Sequence, residues 1–496
     1  MFILDFCLYI EIGELCMLTQ KMPHWLDKQA FLLPKKIAIE CHDGRTLTFS
    51  QLKEESVSFA KKLATAGVKP KSRVAILANN HLDLVIAVHA LSYLQAVIVF
   101  LNTRLTKTEL EYQLEQSEAK LLMTTENLKT EKNLAFPHQK TFSEIINLKE
   151  AEVSLVKEID LQEPFTMMFT SGTTGQPKRV VHTYGNHWWS AVASVLNLGL
   201  TENDKWLLTL PIFHVGGFSI LMKNIIYGMP IVLLEKYSAD DVYEQMKSKK
   251  VTIISMVTLM LQQFLDQLER KETPESLRCI LLGGGAVPEP ILKKVEEKEL
   301  PLYQSYGLTE TSSQIATLSS EYARKKLGAS GKPLFPADVR IVEQDENGIG
   351  EIVVKGPMVI SGYDGNEDAN RKSFQNGWFH TGDIGYIDED GFLYVIDRRT
   401  DLIISGGENI YPSEIENVIL SIDGVKETAV VGKTDEKWGE VPVAYVVKED
   451  KSLTANDIMN ELEKVLASFK IPKEIYFIDK LPRNASNKIM RHRLKK

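Results

Sequence analysis

The densest set of reactive residue types is TSGTTGQPK at 170–178, directly after the apolar run 165–169. Small residues let the backbone turn tightly, so successive N–H groups converge on a phosphate. The hydroxyls of Ser171, Thr173 and Thr174 add donors, Thr170, Gly172 and Gly175 complete the loop, and Lys178 adds a mobile positive charge. The order is not that of a Walker loop, which needs Lys straight after its second glycine and then a hydroxyl. Such clusters also form ordinary loops; a lysine and this many hydroxyls behind a buried strand favour a phosphate loop. YGLTET, 306–311, again follows an apolar strand. Glu310 is a hard oxygen ligand suited to Mg²⁺, and Thr309 offers a hydroxyl to a phosphate oxygen. The same hexapeptide serves equally as a helix N-terminus. In HTGD, 380–383, Asp383 stands behind a glycine turn as a carboxylate for two ribose hydroxyls. DRRTDLIISGGENIYPSEIE (397–416) and LPRNASNK (481–488) complete the set, and the second places Lys488 on a polar loop.

These clusters need elements to hold them. Between 25 and 122, strand-like runs (74–77, 96–101) follow helix-like segments (50–66, 82–94). Residues 123–163 are charged and weakly periodic, which reads as a surface connection with short elements. From 165 the alternation is cleaner. Strands are expected at 165–169, 205–210, 230–234, 251–256, 279–282 and 302–305, and helices after Ser238 (capping box with Asp241), at 257–270 and at 288–299. Helices alternating with short buried strands point to parallel α/β sheets. After about Lys332 the pattern turns antiparallel, with strands at 339–342, 350–355 and 392–396 and turns at Asn347-Gly348 and Asp390-Gly391, enough for a small barrel or sheet. Beyond the charged break at 397–401 lie a βαβ-like unit, strands 427–432 and 441–448, a helix at 455–467 and a last strand at 474–478.

Composition excludes several classes. The 496 residues are 44% hydrophobic and 25% charged, with a net charge of −8, which is ordinary globular usage. An acidic chain lacks the basic surface for nucleic acid, and the basic tail KIMRHRLKK is too short to supply one. Cys7, Cys16, Cys41 and Cys279 form no CxxC pair, so no zinc or redox motif is indicated. The opening MFILDFCLYIEIGELC is apolar but carries Asp5, Glu11 and Glu14. It lacks the basic start and cleavage site of a signal peptide and is too short to span a bilayer. The preferred reading makes Met17 the natural start and 1–16 a dispensable extension; the alternative is an extra element docked on the body. No window reaches a membrane span, so a cytoplasmic enzyme without membrane insertion is expected.

In this order, the five clusters resemble the adenylate-forming superfamily of acyl-CoA synthetases, adenylation domains and luciferases, from Met17 to the end. Within it, FHVGG (213–217), LLGGG (281–285), YGLTETSSQ (306–314) and LPRNASNK look most like the o-succinylbenzoate–CoA ligases of menaquinone synthesis. The resemblance implies ATP, Mg²⁺, CoA and a small carboxylic acid as reaction partners, and is compatible with a homo-oligomer. It implies an α/β fold: a large N-terminal domain (17–397) of parallel α/β sheets with a small β-barrel-like subdomain, then a small mobile α+β C-terminal domain (398–496), hinged near Thr400. It implies that the 170–178 loop holds the β- and γ-phosphates, that Thr309 touches the α-phosphate and that Glu310 holds Mg²⁺. Gly283, Gly284 and Gly285 with Ser305, Tyr306 and Gly307 would flank adenine. Asp383 would bind ribose, with Arg398 close by. Lys488 would reach the substrate carboxylate and α-phosphate, and Gly406 and Gly407 would line the pantetheine tunnel. His214 falls at an aromatic gate between acid pocket and thiol channel. One departure is Arg179, where relatives usually carry Gly; it either points outward or adds charge at the phosphates.

Overall fold

The computed structural model describes residues 20–494, apart from 171–176, 285, 286, 288, 324, 399, 400, 406, 407, 436, 437, 467 and 485–487. Strands β1 (Pro164–Thr170) and β2 (Lys178–Thr183) form an antiparallel hairpin. Their register sets Lys178 opposite Thr170, so the ends of the phosphate loop are held on one strand pair. The hairpin closes one edge of a six-stranded sheet whose other strands, Val97–Phe100, Arg73–Leu77, Leu121–Thr124 and Gln139–Thr141, run parallel. Thr183 then caps α1 (Tyr184–Leu198) in a reciprocal box with Asn186. Helix α2 (Val215–Tyr227) follows and ends at Gly228, whose φ of 66° terminates it in the left-handed region.

A nine-stranded sheet carries the rest of the large body. Its centre is parallel and includes Ile253–Met256, β3 (Cys279–Leu282) and the start of β4 (Leu302–Leu308). β5 (Ser313–Leu318) and Thr46–Thr48 add antiparallel strands towards its two edges. Helices cover both faces, which is why CILL in β3 is apolar throughout and fully buried. One core joins the two sheets through Phe100, Phe165, Trp206 and Phe218. In parallel sheets of this kind ligand sites gather beyond the carboxyl ends of the strands. Gly283 and Tyr306 stand there.

Strands Asp338–Val342, Gly350–Lys355, β6 (Trp378–Ile387) and Leu393–Arg398 make the expected antiparallel subdomain. The last sheet joins Ile403–Ser405, Val425–Asp435, Gly439–Lys448 and Glu474–Phe477, with helices Pro412–Leu420 and Ala455–Val465 packed on a core of its own. The fold is thus α/β with a small C-terminal domain.

Three local expectations change. The strand expected at 302–305 runs on to Leu308, so Tyr306 and Gly307 lie in regular sheet. Residues Thr309–Thr311 make one 3-10 turn, not a helix start, because Ser312 and Ser313 turn the chain straight into β5 with φ of 55° and 121°. HTGD lies inside the continuous strand β6, where Gly382 (φ 72°) accompanies a shift in the ladder. The turn before β5 also depends on Gly307. A Cβ there would lie 2.0 Å from the Ser313 carbonyl oxygen and 2.8 Å from Gln314 Cα. Gly307→Ala is therefore expected to cost about 1–3 kcal/mol of stability as β4 and β5 separate, read as a lowered denaturation midpoint.

Candidate active site

Tyr306 on β4 donates its phenol to Asp383 Oδ2 on β6 at 2.7 Å, and both residues are buried. The tyrosine expected against adenine and the carboxylate expected on ribose are thus joined directly. The HTGD segment is oriented from behind by Glu351. Its Oε1 accepts from Gly382 N at 3.0 Å, and its Oε2 lies 3.1 Å from His380 Nδ1. The Asp383 N–H donates to Thr381 Oγ1 at 3.0 Å. Glu351 carries no motif of its own; only the β6 pairing brings it to the site. Beside Tyr306, Ser305 Oγ donates to the Leu282 carbonyl at 2.9 Å and ties the ends of β3 and β4 together. A Cβ on Gly283 would come within 3.1 Å of that hydroxyl, and Gly284 has φ 94°. The strand ends therefore leave a slot without side chains, which suits a flat ring.

Glu310 is buried in its 3-10 turn and accepts the Tyr363 phenol on Oε1 at 2.9 Å. Among the described residues its other oxygen accepts no hydrogen bond. Lys178 Nζ stands 4.5 Å from the centre of the same Tyr363 ring, a cation–π contact. One tyrosine therefore lies between the phosphate-loop lysine and the carboxylate, and the sequence offered no signal for it beyond a Gly-Tyr pair. A single carboxylate beside a phosphate loop fits Mg²⁺, which takes one or two protein carboxylates and completes its shell with phosphate and water. Among the described residues there is no cluster of three potential ligand residues that would make an all-protein cage.

His214 precedes α2 and its ring lies 4.7 Å from that of Phe213. Burial, then the charge of Lys488, then that of Arg104 press its pKa down to about 4, so it is neutral at physiological pH. The same effect places the Lys488 ammonium within electrostatic reach of the gate. The loop carrying Lys488 is closed on itself: Lys488 N donates to Asn484 Oδ1 at 2.9 Å, and Asn484 N to the Lys488 carbonyl at 2.8 Å.

Lys223 was not singled out by its sequence, yet it is 1% exposed in the middle of α2. Its Nζ lies 3.5 Å from Ser219 Oγ and 4.9 Å from the centre of the Trp206 ring. Among the described residues it pairs with no carboxylate, and burial lowers its pKa to about 7. Ser219 lies five residues beyond His214, or about 7.5 Å along the helix axis. Because helical side chains lean toward the N-terminus, the Lys223 ammonium points back toward the gate. A lysine amid the apolar run FSILMKNII was the available signal.

Arg179 lies in regular strand, outside the positive-φ residues. It ion-pairs with Asp364 at 3.0 Å and donates to the Gln116 carbonyl at 3.0 Å, so of the two expected orientations it takes the one away from the phosphates. A cavity of about 680 Å³ lined by Lys71, Arg73, Gln162 and Asn370 meets the site only at Tyr363. Ser171, Gly172, Thr173, Thr174, Gly175, Gly285, Gly406, Gly407, Thr400 and 1–16 lie outside the described residues, as does the Arg398 side chain, whose backbone pairs with Asp383. Among the described residues no helix is long and apolar enough to cross a membrane.

Two family models match: AMP-binding enzyme over residues 26–364 and AMP-binding enzyme C-terminal domain over residues 414–488. The 2-succinylbenzoate–CoA ligase of Oceanobacillus iheyensis is 49% identical over 97% of this chain and 100% of its own length. The o-succinylbenzoate CoA synthetase of Bacillus subtilis in complex with its acyl-adenylate intermediate superposes with a TM-score of 0.92 at 45% identity, covering 96% of this chain and 99% of that one. The same enzyme with ATP and magnesium gives 0.91 at 45% identity, over 96% and 100%. Its double mutant bound to a product analogue gives 0.75 at the same 45% identity, over 96% and 98%. Sequence divergence does not account for that drop.

Proposed function

Because the chain belongs to the AMP-binding enzyme family, we propose that it is an ATP-dependent acid–thiol ligase converting 2-succinylbenzoate, ATP and CoA to 2-succinylbenzoyl-CoA, AMP and pyrophosphate in menaquinone biosynthesis. Full-length likeness to ligases named for this acid supports the choice, and Lys223 is the observation that carries it within the structure. The acid has two carboxylates. One is activated, and the other must be buried with a counter-charge, since an unpaired buried anion is costly. Lys223 is a buried amine without a carboxylate partner among the described residues, on the helix that starts beside His214 and within 3.5 Å of Ser219 Oγ, and a pKa near 7 lets it take up the proton that makes it the counter-charge.

The chemistry runs in two halves. A carboxylate oxygen of the acid attacks the α-phosphorus, the bond to pyrophosphate breaks, and an acyl-adenylate forms. Two anions must approach for this, and Lys488 between them relieves the repulsion and orients the attack. Lys178 and the 170–175 loop hold the β- and γ-phosphates, Thr309 contacts the α-phosphate, and Glu310 would hold the metal. Mg²⁺ bound there would neutralise charge on the departing pyrophosphate. Tyr306 and the 283–285 glycines receive adenine, and Asp383 and Arg398 the ribose. In the second half the CoA thiol, whose pKa of about 8.5 already leaves some thiolate, attacks the acyl carbon and AMP departs. For this the small domain, read as 398–496, turns at Thr400, withdraws Lys488 and brings Gly406 and Gly407 over the site. Dependence on ATP and CoA fits a cytoplasmic reaction.

Pyrophosphate exchange and CoA-product formation across a panel of acids tests the reading. 2-Succinylbenzoate is expected to exceed simple benzoates and medium-chain fatty acids in kcat/KM by at least about 100-fold, the scale of one buried charge pair. A preference for benzoate or a fatty acid would leave the ligase chemistry standing and remove the acid.

A further inference from the structure

Three elements clamp the turn that presents Thr309 and Glu310. Ile360 N donates to the Glu310 carbonyl at 3.0 Å, and Ser190 Oγ to the Ser312 carbonyl at 2.7 Å. The third clamp is a buried relay. His182 on β2 has Nε2 2.7 Å from the Thr309 carbonyl oxygen, and its Nδ1 lies 3.0 Å from Thr166 Oγ1. Thr166 is the direct cross-strand partner of His182 on β1, and its Oγ1 also lies 2.9 Å from His187 Nε2 on α1.

The carbonyl fixes the direction of the whole chain. A carbonyl only accepts, so His182 Nε2 must carry the proton. Its Nδ1 then accepts, and the Thr166 hydroxyl must donate to it. Thr166 oxygen is left to accept from His187 Nε2–H, and His187 Nδ1 is left as a bare acceptor. Among the described residues that last atom has no hydrogen-bond partner, as this polarity requires. Burial lowers the pKa of His182 to about 4 and that of His187 well below its ordinary value, so both rings are neutral.

We propose that His182 is a positioning residue for adenylation: Thr166 sets its tautomer, and through the Thr309 carbonyl it holds Thr309 and Glu310 in register with the hairpin that bears Lys178. Lys178 and His182 share β2, so the relay links the phosphate loop to the metal carboxylate by one strand and one hydrogen bond. The proposal rests on the reading of Glu310 and Thr309 given above. None of the three relay residues belongs to a cluster marked in the sequence.

The test separates the two half-reactions in the full-length enzyme. His182→Leu and the isosteric Thr166→Val are expected to slow adenylate formation about 10- to 100-fold, the scale of a sub-ångström to 1 Å misplacement, with a raised Mg²⁺ requirement. Thioester formation from supplied acyl-adenylate and CoA is expected to stay within about two-fold, because it uses neither Thr309 nor Glu310 in this way. His182→Gln, whose amide N–H can reach the same carbonyl, is expected to recover most of the loss. Equal damage to both half-reactions, no damage in folded Thr166→Val, or a folded His182→Gln as slow as His182→Leu would overturn the proposal. Glu310→Ala is the control. If it abolishes adenylation while the relay variants do not, only the relay fails; if it leaves adenylation intact, the metal assignment beneath the proposal fails.

Discussion

Lys488→Ala is expected to lower the rate of adenylate formation by about 10²–10³-fold or more, while thioester formation from supplied acyl-adenylate stays near the unmodified rate. Removing one group that stabilises developing charge in an enclosed site costs on that scale. The asymmetry follows from where the lysine sits. Its loop belongs to the small domain and is closed by reciprocal Asn484–Lys488 hydrogen bonds, yet its charge is felt by buried His214 in the large body. The lysine's charge therefore reaches across to the large body. On the proposed mechanism this lysine serves the first half-reaction and leaves for the second. Pyrophosphate exchange reads the first and a CoA-product assay with supplied adenylate the second. Equal loss in both, in a folded variant, would sink the division of labour.

Lys223→Met is expected to raise the KM for 2-succinylbenzoate about 30- to 1,000-fold, the cost of taking away one partner of a buried charge pair. The analogue lacking the ring carboxylate should suffer little from the same change, so the variant loses most of its preference between the two acids. If both acids are affected alike, Lys223 is not the counter-charge. pH supplies a second check. The pKa of Lys223 is near 7 in the folded protein, against roughly 10.4 when unfolded. Between these values the unfolded chain holds the extra proton, so stability of the ligand-free protein rises with pH, by up to about 1.4 kcal/mol per unit. Below about 7 both states are protonated and the burial penalty is present in full. Lys223→Met should flatten that slope in denaturation across pH 7–10. Binding of the dianion near pH 8 should take up a proton, seen as a buffer-dependent heat that the Met variant lacks.

His214, neutral because it is buried, adds no ionisation of its own between pH 5 and 8. A limb in the pH–rate profile there belongs to another group.

Local chemistry marked TSGTTGQPK as a candidate phosphate loop and Glu310 as a candidate Mg²⁺ carboxylate, because these are short-range features of residue type and order; the class of reaction and the expected role of Lys488 came from the resemblance that the five clusters carry together. The alternation of strand and helix was legible for the same reason: periodicity is a property of neighbours along the chain. What stayed hidden were the long-range partners. Tyr363 on Glu310, Glu351 behind HTGD, and the Thr166–His182–His187 relay are each made by strand pairing or by an approach between distant segments, and pairing register leaves no local trace. Lys223 shows the division most sharply. Its sequence context marks a lysine in an apolar helix, but only the packing of α2 over Trp206 decides that its charge is buried without a carboxylate partner among the described residues. Residue type and order therefore carried the resemblance, and with it the expected chemistry and acid; only tertiary packing shows that Lys223 is buried, because desolvation is a property of the folded molecule.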